Sequence, residues 1–251
     1  MKRFMSLLIA AGFVLSLPWG SQAEEQQGKV SPPAVVPTAP APAGKPILYV
    51  PPRKGAPAPG SRRGGGTRGM NKSVPVISVL APDHVGLTLH AQPVLYWFAP
   101  TKQNVPYEFV LIADSAEMPV VEAKLPQPAH PGLQQIRLSD FKVKLSPGER
   151  YHWSVALVLD TDEPSGNIVA KGEIERVDRD QLAPPLPMDM TEADAPRRLA
   201  EAGVWYDAIA AIVDLSQSHP EDGDVLRQRA ALLEQGGLGE VAANMQAAWA
   251  K

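Results

Sequence analysis

Leu145-Ser146-Pro147-Gly148-Glu149-Arg150-Tyr151-His152-Trp153-Ser154-Val155-Ala156-Leu157-Val158-Leu159 is the stretch that decides the fold. Tyr151, Trp153, Val155, Leu157 and Leu159 alternate with other residues, among them the polar His152 and Ser154. Successive strand side chains point to opposite faces, so this period of two predicts a half-buried β-strand with its large residues inward. Ser146-Pro147-Gly148 ahead of it is turn chemistry, because proline presets φ and glycine tolerates positive φ. Outward from it, short apolar runs predict strands near Val76–Leu80, Val94–Phe98, Tyr107–Ala113, Val120–Leu125, Gln134–Leu138 and Asn167–Val177, with a further short one at Leu87–Leu89. Turn residues divide them at Ala81-Pro82-Asp83, Ala99-Pro100, Pro126–Gly132 and Pro164–Asn167. Short strands at this spacing predict an antiparallel β-sandwich over residues 73–180.

Two details sharpen that prediction toward a fibronectin type III or immunoglobulin-like sandwich. Leu95-Tyr96-Trp97 places Trp97 on an early strand facing inward beside Leu95. Leu145 followed by a tight turn and Tyr151 resembles a tyrosine corner, whose ring fills the sandwich edge while its hydroxyl ties down upstream backbone. Trp153 joins the same inward face.

Beyond the sandwich, Pro184, Pro185 and Pro187 mark a linker over 181–190, and residues 191–251 read as α-helical. Thr191 or Asp194 can cap a helix to about Ala202; Trp205–Gln217, Glu221–Gln235 and Glu240–Trp249 follow, divided by Gly203, Pro220 and Gly236-Gly237. Leu199, Gly203 and Ala208 recur 34 residues later as Leu233, Gly237 and Ala242. That period is the tetratricopeptide one, in which glycine makes the inter-helix turn and alanine lets helices pack closely. The fold class expected is therefore β + α multidomain, a sandwich followed by a small tetratricopeptide-like module.

The N-terminal third reads differently. Lys2 and Arg3, the apolar run Phe4–Leu17 and Ser21-Gln22-Ala23 have the anatomy of a secretory signal over 1–23, with cleavage after Ala23. Its apolar run falls short of the roughly 20 residues a membrane-spanning helix needs, so export to the periplasm or beyond is expected, with no transmembrane segment after cleavage. Residues 24–72 form a Pro/Gly-rich basic linker expected to be extended or disordered, with ten prolines between Ser31 and Gly60. Ile47-Leu48-Tyr49-Val50 interrupts it as an apolar island able to pack on a domain. Arg53, Lys54, Arg62, Arg63, Arg68 and Lys72 carry six positive charges with no acid among them, and either contact an anionic surface or form a solvated tether. Gly64-Gly65-Gly66-Thr67-Arg68-Gly69 lacks the Lys-Ser/Thr ending of a phosphate-binding loop.

Reactive chemistry finds little purchase. The chain has no cysteine, which excludes disulfides, thiolate metal sites and a thiol nucleophile, and a net charge of -3 excludes a globally basic nucleic-acid binder. None of His84, His90, His130, His152 and His219 forms a helical metal pair. Asp83 beside His84 admits a ligand cluster but reads more simply as a polar turn, and His152 as a surface residue. Ser154 and Ser218 do not sit on a nucleophile elbow. Asp160, Asp162 and Glu163 crowd one turn through Asn167, as turns do, without a calcium-loop pattern, and Glu173 and Glu175 read as the solvent face of a strand. Trp205, Tyr206 and Trp249 read as helical core rather than as anchors for a peptide. No cofactor is expected.

Pro51-Pro52-Arg53-Lys54-Gly55-Ala56-Pro57, Gly64–Gly69, Leu80-Ala81-Pro82-Asp83-His84-Val85-Gly86-Leu87-Thr88, Gln92-Pro93-Val94-Leu95-Tyr96-Trp97 and Trp205-Tyr206-Asp207-Ala208 together resemble the bacterial domain-of-unknown-function 928 family over roughly Pro46 to Gly239. The resemblance implies an exported envelope protein without assigned activity and carries over no catalytic or ligand residue. The function expected is a non-catalytic interaction or adaptor protein of the cell envelope, with another envelope protein or an anionic envelope polymer as partner. The competing readings are an envelope-polymer hydrolase recruiting His84, Asp83 or Glu173, and a self-assembling surface or adhesion component.

Overall fold

Alternation in the sequence becomes two packed sheets. The structure is a computed structural model that describes residues 46–52, 63–64, 76–160 and 164–249; the signal segment and most of the basic linker lie outside them. The strands are β1 (Arg63–Gly64), β2 (Ile77–Val79), β3 (Gly86–Thr88), β4 (Val94–Ala99), β5 (Tyr107–Ala113), β6 (Val121–Leu125), β7 (Gly132–Arg137), β8 (Arg150–Leu157) and β9 (Ile168–Arg176), and the helices α1 (Ala195–Glu201), α2 (Trp205–Ser218), α3 (Gly223–Gln235) and α4 (Gly239–Trp249). One sheet runs β1-β2-β4-β7 and the other β3-β9-β8-β5-β6. Trp97 and Tyr107 meet between them with ring centroids 5.1 Å apart. The class is β + α.

Three departures from the sequence reading have local causes. β3 pairs parallel to β9, Leu87 opposite Glu175, so the second sheet is mixed rather than wholly antiparallel. β8 ends at Leu157, and Leu159 leaves the inward face at 38% exposure while the Leu159 amide donates to Asn167 Oδ1 in the turn. Leu95, Tyr96, Trp97, Phe98 and Ala99 of β4 are all buried, because α2 packs on the face turned away from the second sheet. Within the basic linker, Arg63 pairs opposite Ser78.

The Tyr151 ring is buried, and Ser146 N–H donates to its hydroxyl at 3.0 Å, pinning the turn that precedes β8. The helices repeat as two hairpins. Gly203 and Gly237 both hold left-handed φ, 77° and 75°. In the first turn Gly203 N–H bonds Ala200 O and Val204 N–H bonds Leu199 O; in the second Gly237 bonds Glu234 and Leu238 bonds Leu233. Each is a Schellman closure, which needs the positive φ that glycine supplies without steric cost. The 34-residue recurrence in sequence is thus a recurrence of hydrogen bonds, with Ala208 and Ala242 both buried behind the turns.

The described residues belong to one compact unit, and the start of α2 makes the joint. Trp205 is fully buried and its indole N–H donates to Leu80 O at 2.8 Å. The Tyr206 hydroxyl accepts from Trp153 Nε1 and donates to Glu173 O, both at 2.8 Å. Asp207 accepts from Thr88 Oγ1 at 2.5 Å and Leu89 N–H at 3.0 Å. Gly86 is required by this approach: a Cβ there would stand 2.6 Å from Tyr206 Cε2.

The apolar island Ile47–Val50 closes over the joint. Ile47 and Tyr49 are buried while Leu48 and Val50 face out, the alternation of a strand. Its partner is a side chain: the Gln235 amide oxygen accepts from Tyr49 N–H at 2.9 Å and its nitrogen donates to Ile47 O at 3.1 Å. Val50 N–H adds a bond to Ala200 O, and the Tyr49 ring meets Trp205 edge-on at 4.9 Å.

Two substitutions test the joint. Tyr206→Phe keeps the ring but orphans a buried indole N–H and a buried carbonyl, so unfolding by denaturant should show a loss of about 2 kcal/mol or more; unchanged stability would remove the hydroxyl from the joint. Tyr49→Ala should cost about 3–5 kcal/mol, whereas Leu48→Ala should stay within about 0.5 kcal/mol. Equal effects at the two positions would show that the island is not seated as described.

Candidate functional site

A helix is about 10 Å across, about twice the spacing of neighbouring strands. Helices laid on the first sheet therefore leave a strip beside its edge strand β7. That strip is a cleft of about 310 Å³ between the ends of β4 and β7 and helices α2, α3 and α4. Phe98, Leu133, Val213 and Met245 give it an apolar lining; Gln217, Arg229 and Asn244 are its polar members. Among the described residues of the lining Arg229 alone carries a charge, and at 5% exposure it belongs to the wall rather than the rim. Burial lowers its guanidinium to about 10, which leaves it protonated at neutral pH. Gln217 and Asn244 are exposed.

The histidines that the sequence offers for chemistry are spread over separate places. His84 is a strut: Asp83 Oδ1 lies 3.1 Å from its Nδ1, and its Nε2 lies 2.6 Å from the Tyr49 hydroxyl. Burial raises the Tyr49 phenol well above its ordinary value, with the Asp83 charge adding to the shift, so the hydroxyl stays neutral and serves as a tie. His152 sits on the outer face of β8 with Nε2 2.5 Å from Asp114 Oδ1 and Nδ1 3.5 Å from Glu173 Oε1. Glu173, expected on a solvent face, is buried at 6% exposure. His152 on the same outer face lies against its carboxylate and covers it. His90 Nε2 lies 3.8 Å from Asp207, His219 closes α2 against Leu215 O, and His130 is exposed. Among the described residues no group of three His, Asp or Glu side chains is placed to hold a metal ion.

Of the residues singled out in the sequence, Trp97, Leu145, Tyr151, Trp153 and Ala208 are buried, and Gly203 makes its turn. Arg53, Lys54, Arg62, Arg68 and Lys72 lie outside the described residues, as do Thr161, Asp162 and Glu163 of the acidic turn. Sequence reasoning passed over Arg229, Asp207 and Gln235. A signal for Arg229 was present: it falls four residues after Val225 on the stripe that continues through Leu232 and Leu233, where a solvated arginine has no place.

The family model described as Domain of Unknown Function (DUF928) matches residues 63–246. No curated protein matches the chain. A solved structure of an engineered protein aligns at 9% identity over 43% of this chain and 21% of its own, with a TM-score of 0.29, too low to carry an argument. No helix among the described residues is long and apolar enough to cross a membrane.

The buried carboxyl at the joint generates a pH prediction. Burial raises Asp207 above its ordinary 3.8, against the opposing pulls of His90, the Thr88 hydroxyl and the Leu89 amide. The folded chain then holds that proton more tightly than the unfolded chain. Ionised Asp207 subtracts stability as pH rises from 3.8 through the raised value, and protonation restores it as pH falls. Asp207→Asn cannot titrate, so the stability of the native chain relative to this variant should decline across that rise. A difference that instead grows with pH would mean that the hydrogen bonds and His90 outweigh burial.

Proposed function

The chain belongs to the domain-of-unknown-function 928 family, and from that premise we propose that it is an exported, non-catalytic interaction protein of the cell envelope that takes its partner in the cleft between sheet and helices. The observation that carries the reading is the cleft itself, an apolar recess whose walls come from two strands and three helices. Such recesses with a few polar groups are the usual form of a binding site. Buried ties at Trp205, Tyr206 and Asp207 support it further, since they hold the two walls in fixed relation. Export is supported by the signal anatomy of Met1–Ala23, and the partner class is another envelope protein or an anionic envelope polymer. The basic linker around Arg53–Lys72 adds attraction to an anionic surface in this reading.

The finer fold reading belongs to the same proposal. A fibronectin type III-like sandwich is supported by the Tyr151 hydroxyl bond to Ser146, and a tetratricopeptide-like module by the paired glycine turns 34 residues apart. Both architectures serve binding in other proteins, and that analogy ranks below the cleft.

A bait stopping before α2 would strip Trp205 and Tyr206 from the sandwich, so the test uses the full chain. Asn244 is exposed at the rim, and Asn244→Trp fills the cleft without touching the core. An envelope protein or polymer retained by the native bait should be lost by Asn244→Trp at unchanged melting temperature. Retention by both baits would remove the cleft from the function, and retention by neither would remove the interaction reading.

A further inference from the structure

We propose that β7 accepts an extended segment of another polypeptide as an added strand, one large apolar side chain of that segment entering the cleft. This rests on the cleft being the binding site and specifies what the partner presents there. β7 is the last strand of its sheet and pairs with β4 on one side only. Tyr96 O accepts from Leu80 N–H on the β2 side, so Leu95 and Trp97 turn their backbone groups toward β7, where they meet Ile136 and Gln134. Leu138 N–H, bonded to Pro93 O, continues the same series. The N–H and C=O groups of Leu133, Gln135 and Arg137 therefore point away from β4, and no described residue bonds them. The helices leave this edge open: of Gly132–Arg137 only Ile136 is buried, and Gln135 is exposed. An unpaired edge is a template for another strand, and proteins that avoid such pairing place charges along it. β6, at the edge of the second sheet, carries exposed Glu122 and Lys124, whereas β7 has no charge from Gly132 through Ile136. Directly opposed side chains on neighbouring strands share a face. Phe98 stands opposite Leu133 and both line the cleft, so a residue added opposite Leu133 extends that row into the same recess, toward Val213 and Met245. A volume of about 310 Å³ lies near the lower end of ligand-pocket sizes, as one inserted side chain requires. The occupant is a peptide by its backbone and apolar by its anchor; a glycan has no such alternation of N–H and C=O to offer.

The experiment follows backbone amide exchange by NMR in the full chain, with the capped peptide acetyl-Lys-Thr-Val-Thr-Phe-Thr-Val-Thr-Lys-amide as probe. Without peptide, the amides of Leu133, Gln135 and Arg137 should exchange fast and those of Gln134 and Ile136 slowly. Saturating peptide should slow the first three by about tenfold or more. Alanine in place of the peptide's phenylalanine should weaken binding about tenfold or more, the loss of one buried aromatic side chain. Asn244→Trp, which fills the cleft, should erase that difference. Two further peptides, N-methylated at one or the other alternate set of amides, keep the same side chains. Only one of them should bind, since a strand turns every second N–H toward its neighbour. Equal binding of the two would overturn strand addition, and a phenylalanine effect that survives Asn244→Trp would overturn the seat of the side chain. No added protection at millimolar peptide would defeat the proposal outright. Slow exchange of the three amides without peptide, lost on dilution, would give the edge to a second copy of the chain and sink the separate partner. Envelope capture abolished by Asn244→Trp while those amides stay fast in the captured complex sinks only the added strand. Peptide protection with no envelope protein captured sinks only the envelope reading.

Discussion

One phenolic oxygen holds the two halves of the fold together. The Tyr206 hydroxyl takes the indole proton of Trp153 from the middle of β8 and gives its own to the carbonyl of Glu173 on β9. All three groups are out of reach of water, where an unmade hydrogen bond costs far more than a made one contributes. Burial raises the Tyr206 phenol far above its ordinary value, so the hydroxyl keeps the proton it donates. Around this point the packing tolerates little change. Gly86 leaves room for the Tyr206 ring, and Gly172 leaves room for Trp153, since a Cβ there would stand 2.8 Å from its Nε1. A helix start that inserts two aromatic rings between strands and satisfies every polar atom it buries is fixed in orientation as well as position. The helices follow from that placement, and so does the cleft.

How much of this was legible in the sequence depends on whether a feature is written locally. β8 was readable because half-burial imposes a period of two on Tyr151, Trp153, Val155 and Leu157. The glycine turns were readable because a left-handed φ selects Gly203 and Gly237 wherever the hairpin recurs. The outer face of β4 was not, since Val94–Ala99 is a continuous apolar run and periodicity cannot say what covers its second face. Parallel pairing of β3 with β9 joins segments far apart in sequence, and three residues leave no pattern that fixes direction. Asp207 and Gln235 were invisible for another reason: each is polar on a helix, where charge and amide ordinarily mean solvent, and each instead meets backbone from a distant segment.

The island Ile47–Val50 shows the same limit from the other side. Its apolar character stood out among prolines, yet nothing near it in sequence could name its receiver. It lies ahead of the family match at 63–246 while Ile47 and Tyr49 are buried in the core. The physical unit is therefore longer than the matched one. Gln235 supplies both an acceptor and a donor to alternate backbone groups, as a neighbouring strand would, so one side chain stands in for a ladder.

The cleft has its origin in a mismatch of widths. β7 is an edge strand of the first sheet, and α2 covers β4 rather than β7. Had α4 closed down on Leu133, the strip would have become ordinary core and Arg229 would have had no place in its wall. Arg229 stands in that wall beside Phe98, Val213 and Met245 at 5% exposure, so a charged side chain bounds the recess together with apolar ones. The strip stays open where the helices end over the sheet, and its lining joins those apolar side chains to Gln217, Arg229 and Asn244 from three different helices.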